Sequence, residues 1–203
     1  HRCQKDGVKI VMNCEVTPEL IKEEKPDSVI IATGSKTLIL PIEGIDNPAI
    51  IHGSDLLDGK RPAGKKVLVV GGGMVGCETA AFLGEQEHDV TVIEFRDTVG
   101  ADVIHEHRVY LMKDFEDYGI KEITGAKVCK FYEDGVEYET ADGVRHETRG
   151  YDSVILSMGF RNYNPLEEKI KDLVPETHVI GDAIRARRAL DATKEAYAVA
   201  SKL

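Results

Sequence analysis

The sequence predicts an α/β fold built on a parallel sheet, and three observations predict it. In the first, an apolar run, Val67-Leu68-Val69-Val70, leads into Gly71-Gly72-Gly73-Met74-Val75-Gly76. A helix-like segment from Cys77 to Gln86 follows, and a second apolar run, Val90-Thr91-Val92-Ile93, ends at Glu94. The second observation is a pair of turn signals, Asp134-Gly135 and Asp142-Gly143, between short strand-like runs, the pattern of an antiparallel meander. The third is a set of apolar strands that each run into glycine: Ala32-Thr33-Gly34, Ser157-Met158-Gly159 and Ile180-Gly181-Asp182-Ala183. Together they describe a Rossmann-like nucleotide-binding domain in which a β-meander crosses over between strands of the parallel sheet.

Each residue of the glycine-rich turn has a physical task. Gly71 lets the chain turn out of the strand, Gly73 lets a pyrophosphate approach the backbone, and Gly76 lets the helix pack on the sheet. The helix start, with Met74 and Val75, offers N–H groups and a partial positive charge to phosphates. Glu94 lies 18 residues past Gly76, where a carboxylate can accept hydrogen bonds from an adenosine ribose. That acid favours NADH, because a 2′-phosphate would be repelled by it. Arg96, two residues on, is the type of residue that accommodates such a phosphate, so NADPH stays open as the less favoured alternative.

Taken in order, Val8–Met12 reads as a short strand. Thr17-Pro18-Glu19 reads as a helix start, with Thr17 as cap and Pro18 at the first helical position, and the helix runs to about Glu24. Ser28–Ala32 is a buried-type strand. The stretch 41–64, punctuated by Pro41, Pro48, Pro62 and four glycines, is a connection with one helical turn at Ser54–Leu57. His105–Tyr118 is an amphipathic helix. His105 and His107 on it do not share a face, so they read as solvated histidines and not as metal ligands. Ile120–Ile123, Ala126–Tyr132 and Val136–Thr140 are strands. Tyr151–Ser157 is another strand, a short helix starts at Asn164-Pro165 and ends near Leu173, His178–Ile180 is a brief strand, and a long helix covers Ala189–Leu203.

Bulk properties narrow the function. At 203 residues and 42% hydrophobic, the chain can build one large domain or two small ones. Its net charge of −10 and pI near 5.2 argue against nucleic acid. No apolar run approaches the roughly 20 residues that span a bilayer, so no membrane segment is expected. Cys3, Cys14, Cys77 and Cys129 are scattered without a C-x-x-C, which points to idle thiols in a reducing, cytoplasmic compartment and to no bound metal. The chain begins at His1 with no initiator Met and reads as a piece of something longer. Ser201-Lys202-Leu203 matches a peroxisomal address, but a chance tripeptide inside a helix is the better reading.

At this point a resemblance becomes specific. The approach Gly7-Val8-Lys9-Ile10, Glu15-Val16-Thr17, Lys25-Pro26-Asp27 and Ile30-Ile31-Ala32-Thr33-Gly34 resembles flavoprotein pyridine-nucleotide oxidoreductases with two nested dinucleotide domains. So do Gly71–Glu78, Ile180-Gly181-Asp182-Ala183 and Glu195-Ala196-Tyr197. Within that group the chain is most similar to the C-terminal part of the NADH:flavin oxidoreductases of the 2,4-dienoyl-CoA reductase, 2-enoate reductase and trimethylamine dehydrogenase type. The resemblance implies an FAD-type domain at residues 1–38 and 151–203, with an NAD(P)H domain at 39–150 inserted into it. Asp182 would then bond the ribityl chain of a flavin, beside Gly181 and Ala183, and the helix after Ala183 would aim its positive end at the flavin. Thr33 and Gly34 would lie against the FAD, Gly159 would close the matching turn, and Glu78 would sit near the nicotinamide as the candidate catalytic residue. FMN and a 4Fe–4S cluster would belong to a barrel domain outside this chain, which also lacks the N-terminal glycine motif such an FAD domain uses.

The expected function is therefore a flavin-dependent oxidoreductase fragment. NADH would pass hydride to FAD, in a parent that reduces an enoate or enoyl-CoA. Two other readings stay open: a nucleotide-binding module without catalysis of its own, and a disulfide-reductase-type flavoprotein fragment, which the absence of a redox cysteine pair disfavours. Oligomeric state is left open, a homo-oligomer included.

Overall fold

In a computed structural model, which describes residues 2–203, the chain divides into two compact units. One comprises the chain up to Lys36 together with Phe160–Leu203, and the other is Thr37–Gly159.

The first unit opens with a single helical turn, α1 (Arg2–Lys5). The strand expected at Val8–Met12 does not form. Val8 is 53% and Met12 75% exposed, and without a neighbouring strand an apolar run has no ladder to join. α2 (Pro18–Glu24) starts as its sequence predicts: Pro18 is at the first position and Thr17 Oγ1 accepts from Leu20 N–H at 3.3 Å. It stops at Lys25, which takes the left-handed conformation with φ +48°. β1 (Ser28–Ile31) and β2 (Ser35–Thr37) follow.

In the second unit, β3 (Ile51–His52) leads directly into α3 (Gly53–Leu57). Then come β4 (Lys66–Val70), α4 (Met74–Glu85), β5 (Asp89–Ile93), α5 (His105–Asp117) and β6 (Lys121–Ile123). The meander β7 (Lys127–Tyr132), β8 (Gly135–Glu139) and β9 (Arg145–Thr148) precedes β10 (Ser153–Leu156). The sheet order is β3-β10-β4-β5-β6, with every pair parallel. Each inner strand reads as a continuous apolar run because both of its faces are covered. Val67, Val69, Val90, Val92 and Ile155 pack against α4 and α5 through Cys77, Leu83, Leu111 and Phe115. Leu68, Val70, Ile93, Val154 and Leu156 pack against the meander through Phe131 and Val136. The crossover is thus a β-meander in the position where a doubly wound fold would place a helix.

One turn differs from its sequence reading. The β7–β8 turn is made by Glu133-Asp134, and Gly135 already pairs with Tyr132. Gly135 is needed for another reason: a Cβ there would overlap the Thr148 carbonyl of the next strand. Asp142-Gly143 behaves as expected, with Gly143 at φ +78° and its N–H donated to Thr140 O at 2.8 Å.

The chain then returns to the first unit through β11 (Phe160–Asn162), which pairs with β2. α6 (Glu167–Ile170) is shorter than expected, and Asn164 Oδ1 accepts from Glu167 N–H ahead of it. β12 (Glu176–Val179) runs parallel to β1. Ile21, Ile31, Leu166, Ile170 and Val174 form the core. A 3₁₀ turn at Gly181–Ala183 precedes α7 (Ala189–Ala200), which stops short of the expected Leu203.

Candidate functional site

The glycine-rich turn sits at the C-terminal end of β4. Gly71 has φ +104°, and a Cβ on it would run into Ser157 O at the end of the neighbouring β10. Gly71 N–H is donated to Ile93 O at 2.9 Å, so the turn is fastened on its other side to β5. A Cβ on Gly76 would overlap the Gly71 carbonyl, which is how closely the helix lies on the turn. Gly73 is different. It is the residue before the first helical position, and the nearest atom a Cβ would meet is Asp102 Oδ2 at 3.2 Å. The helix starts at Met74, three residues before the expected Cys77.

Glu94 is where the sequence placed it, at the end of β5, but it is 8% exposed and already bonded. Its Oε2 accepts from Gly72 N–H at 2.6 Å and its Oε1 from Arg96 N–H at 2.9 Å. The carboxylate therefore clamps the glycine turn to the end of the next strand. A carboxylate has about four acceptor positions, so two remain for further donors. Arg96 lines a shallow cleft of about 460 Å³ with Phe95, Asp97, Lys127 and Glu139, in which cations and anions balance.

Two further residues join this group: Asp102, which the sequence reading did not single out, and His107, which it read as a solvated histidine. Asp102 Oδ1 accepts from Met74 N–H at 3.0 Å, capping α4 from 28 residues away. His107 Nε2 lies 3.3 Å from Glu78 Oε1, so this histidine is half-exposed but paired across two helices. The early helix start also moves Glu78 into the second turn, where the helix dipole no longer favours a carboxylate appreciably. No sequence pattern connects Asp102 to Met74 or His107 to Glu78; the first arises from the loop before α5 lying on the glycine turn, the second from packing α5 on α4. Cys77 is buried and donates to Gly72 O at 3.3 Å, and burial pushes its thiol up to about 12. Gly159, with φ +96°, accepts from Leu38 N–H at 2.9 Å.

The remaining site candidates lie in the first unit. Ile180 N–H is donated to Ile31 O, which brings the Ala32-Thr33-Gly34 turn alongside the Gly181–Ala183 turn. Thr33 Oγ1 donates to Tyr163 O, and Gly34 O accepts from Tyr163 N–H at 3.0 Å. Asp182 is held by Ser35 Oγ at 3.2 Å and Arg187 N–H at 3.1 Å. Glu195 of α7 accepts from Gly181 N–H at 2.7 Å and pairs with Arg187. These two donors, Arg187 foremost, hold its carboxyl below the ordinary value. α7 starts at Ala189, six residues past Ala183, and Asp191 Oδ2 accepts from Arg188 N–H at its beginning. Among the described residues no group of three or more His, Cys, Asp or Glu could hold a metal ion, and no helix is long and apolar enough to cross a membrane.

Turn, parallel sheet and clamped acid define a Rossmann-like dinucleotide-binding fold, and comparison with known proteins gives its family. The profile described as pyridine nucleotide-disulphide oxidoreductase matches residues 1–179. The chain belongs to this family, and both the resemblance and the fold class read from the sequence are borne out. It is 30% identical over 200 residues to a cinnamate reductase of Clostridium sporogenes, covering 97% of this chain and 30% of that protein. It is 32% identical over 199 residues to an NADH oxidase of Thermoanaerobacter brockii, covering 96% of this chain and 30% of that protein. A solved 2-naphthoyl-CoA reductase complex superposes with a TM-score of 0.89 at 31% identity, over all of this chain and 31% of that one. The chain thus spans about a third of the length of these relatives.

Proposed function

We propose that this chain is the nucleotide-handling part of a flavin-dependent NAD(P)H oxidoreductase. The observation that carries the proposal is the side-chain-free Gly73 at the start of α4, faced by the exposed Asp102 side chain and set beside a glycine turn clamped by Glu94. The N–H groups of a helix start suit a pyrophosphate, and a glycine with no side chain lets it reach the backbone once the Asp102 side chain moves aside. Gly71, Gly72, Gly73, Met74, Val75 and Gly76 would hold the dinucleotide, and Glu94, through its remaining acceptor positions, the ribose. NADH is the preferred form, because Arg96 shares its cleft with Asp97 and Glu139 and offers no net positive seat for a 2′-phosphate. The name of the T. brockii relative, NADH oxidase, supports that choice. Glu78, paired with His107, is assigned to orienting the nicotinamide.

The first unit's residues fit a flavin. Asp182 is presented on a short turn with its carboxylate fixed by two donors and acceptor positions to spare, beside the Thr33-Gly34 turn. A bound flavin would supply the hydride-accepting chemistry, which no side chain can. Thr33, Gly34, Gly181, Asp182 and Ala183 would orient it. The division into an NAD(P)H domain and an FAD-type domain is part of the same proposal, as are FMN and a 4Fe–4S centre in a barrel domain elsewhere in the parent. An enoate or enoyl-CoA as the parent's substrate is supported by the names of the relatives, cinnamate reductase and 2-naphthoyl-CoA reductase.

NADH titration of the purified chain by fluorescence tests the nucleotide site. Gly73→Val is expected to lose NADH binding while keeping the thermal midpoint of the parent chain. Unchanged affinity in that variant would rule out this seat for the pyrophosphate. For the flavin, a visible spectrum of the whole natural polypeptide should show bands that NADH bleaches; a colourless protein would count against the oxidoreductase reading and leave a binding module.

A further inference from the structure

We infer that Asp102 is an internal competitor for the dinucleotide's pyrophosphate and sets how tightly the cofactor is held; this rests on the nucleotide reading given above. A helix offers its first N–H groups to whatever anion lies at its start. In α4, Gly73 has no side chain to cap them, and the cap comes from Asp102 Oδ1, 3.0 Å from Met74 N. Its second oxygen, Oδ2, is the nearest atom to the open face of Gly73. The carboxylate therefore fills the space through which a pyrophosphate would reach the backbone.

The placement of this residue is built into the fold. Gly100 N–H is donated to Gly72 O at 2.7 Å, and Val103 N–H to Gly100 O at 3.1 Å. Arg108 of α5 grips the same loop through Val99 O and, at 2.9 Å, Thr98 Oγ1. Val99 and Val103 anchor in the core on either side, while Asp102 itself is exposed. So the backbone that presents Asp102 is fixed, and its side chain is free to rotate into water. One anion leaves as the other arrives, and α4 is capped in both states. The remaining negative charge close to the phosphates lowers affinity and favours release.

The test compares the chain with its Asp102→Asn variant. Asn caps a helix about as well as Asp, so the thermal midpoint should hold while the charge is gone. Removing one like charge a few ångströms from a pyrophosphate should tighten NADH and ADP binding by about tenfold. Adenosine, which has no phosphate, should bind both proteins equally. An Asp102→Asn variant with unchanged or weaker affinity for NADH and ADP overturns the inference. Tightening that extends equally to adenosine overturns it too, since that would mean a general change in the site. Should Asn disturb the fold, Asp102→Ala removes the same charge without adding bulk and serves the same measurements. If neither the parent chain nor its variants bind NADH or ADP, the nucleotide reading itself fails, an outcome distinct from equal binding by all.

Discussion

Gly76 and Gly73 belong to one motif and have opposite tolerances. At Gly76 the obstacle to a side chain is the backbone carbonyl of Gly71, which cannot rotate away. Gly76→Ala should therefore destabilise the protein by about 3 kcal/mol, the upper range for an overpacked site, measured as a fall in the denaturant midpoint. At Gly73 the obstacle is the end of an exposed carboxylate side chain, which can move. A change there should cost binding and leave stability alone. Spacing identified the three glycines, but which of them serves the fold and which the ligand is decided by what lies opposite each. Glu94 makes the same point. Its position at the end of β5 was legible, whereas its two bonds to Gly72 and Arg96 N–H depend on how close the turn comes to the strand end.

At the level of elements, strong local signals formed what they spelled. Thr17-Pro18 started α2 where expected, and the apolar runs became β4, β5 and β10. Val8–Met12 did not, because a strand is a property of a pair and no partner lies beside it among the described residues. The 3₁₀ turn at Gly181–Ala183 is held to α7 by Glu195, and this contact has a pH signature. Arg187 and the Gly181 N–H hold the folded carboxyl below its ordinary value. Its contribution is thus complete above the unfolded value of about 4.3 and is lost as pH falls through the lowered folded value. The Gly181 amide proton resonance should shift with a midpoint below about 4.3; a midpoint at or above that value would show that the contact does not favour the charged form.

For the molecule as a whole, the unit Thr37–Gly159 encloses both faces of its own sheet. α4 and α5 cover one face and the meander the other, each with a closed apolar cluster. A separate polypeptide of residues 37–159 should therefore unfold in one cooperative step by circular dichroism and bind NADH with the affinity of the whole chain. Loss of cooperativity in that piece would mean that its core needs the rest of the chain, against its assignment as a nucleotide-binding domain.

The sequence by itself determined the parallel strands, the glycine turn, the acid at the strand end and the meander. All of these are written in short-range periodicity and in residues with special backbone freedom. The tertiary structure alone decided that Asp102 caps α4, that His107 meets Glu78, and that Glu195 holds the Gly181 turn. Each of these contacts joins residues from different segments, and side chains so separated meet only through the packing of elements, which local sequence patterns do not encode.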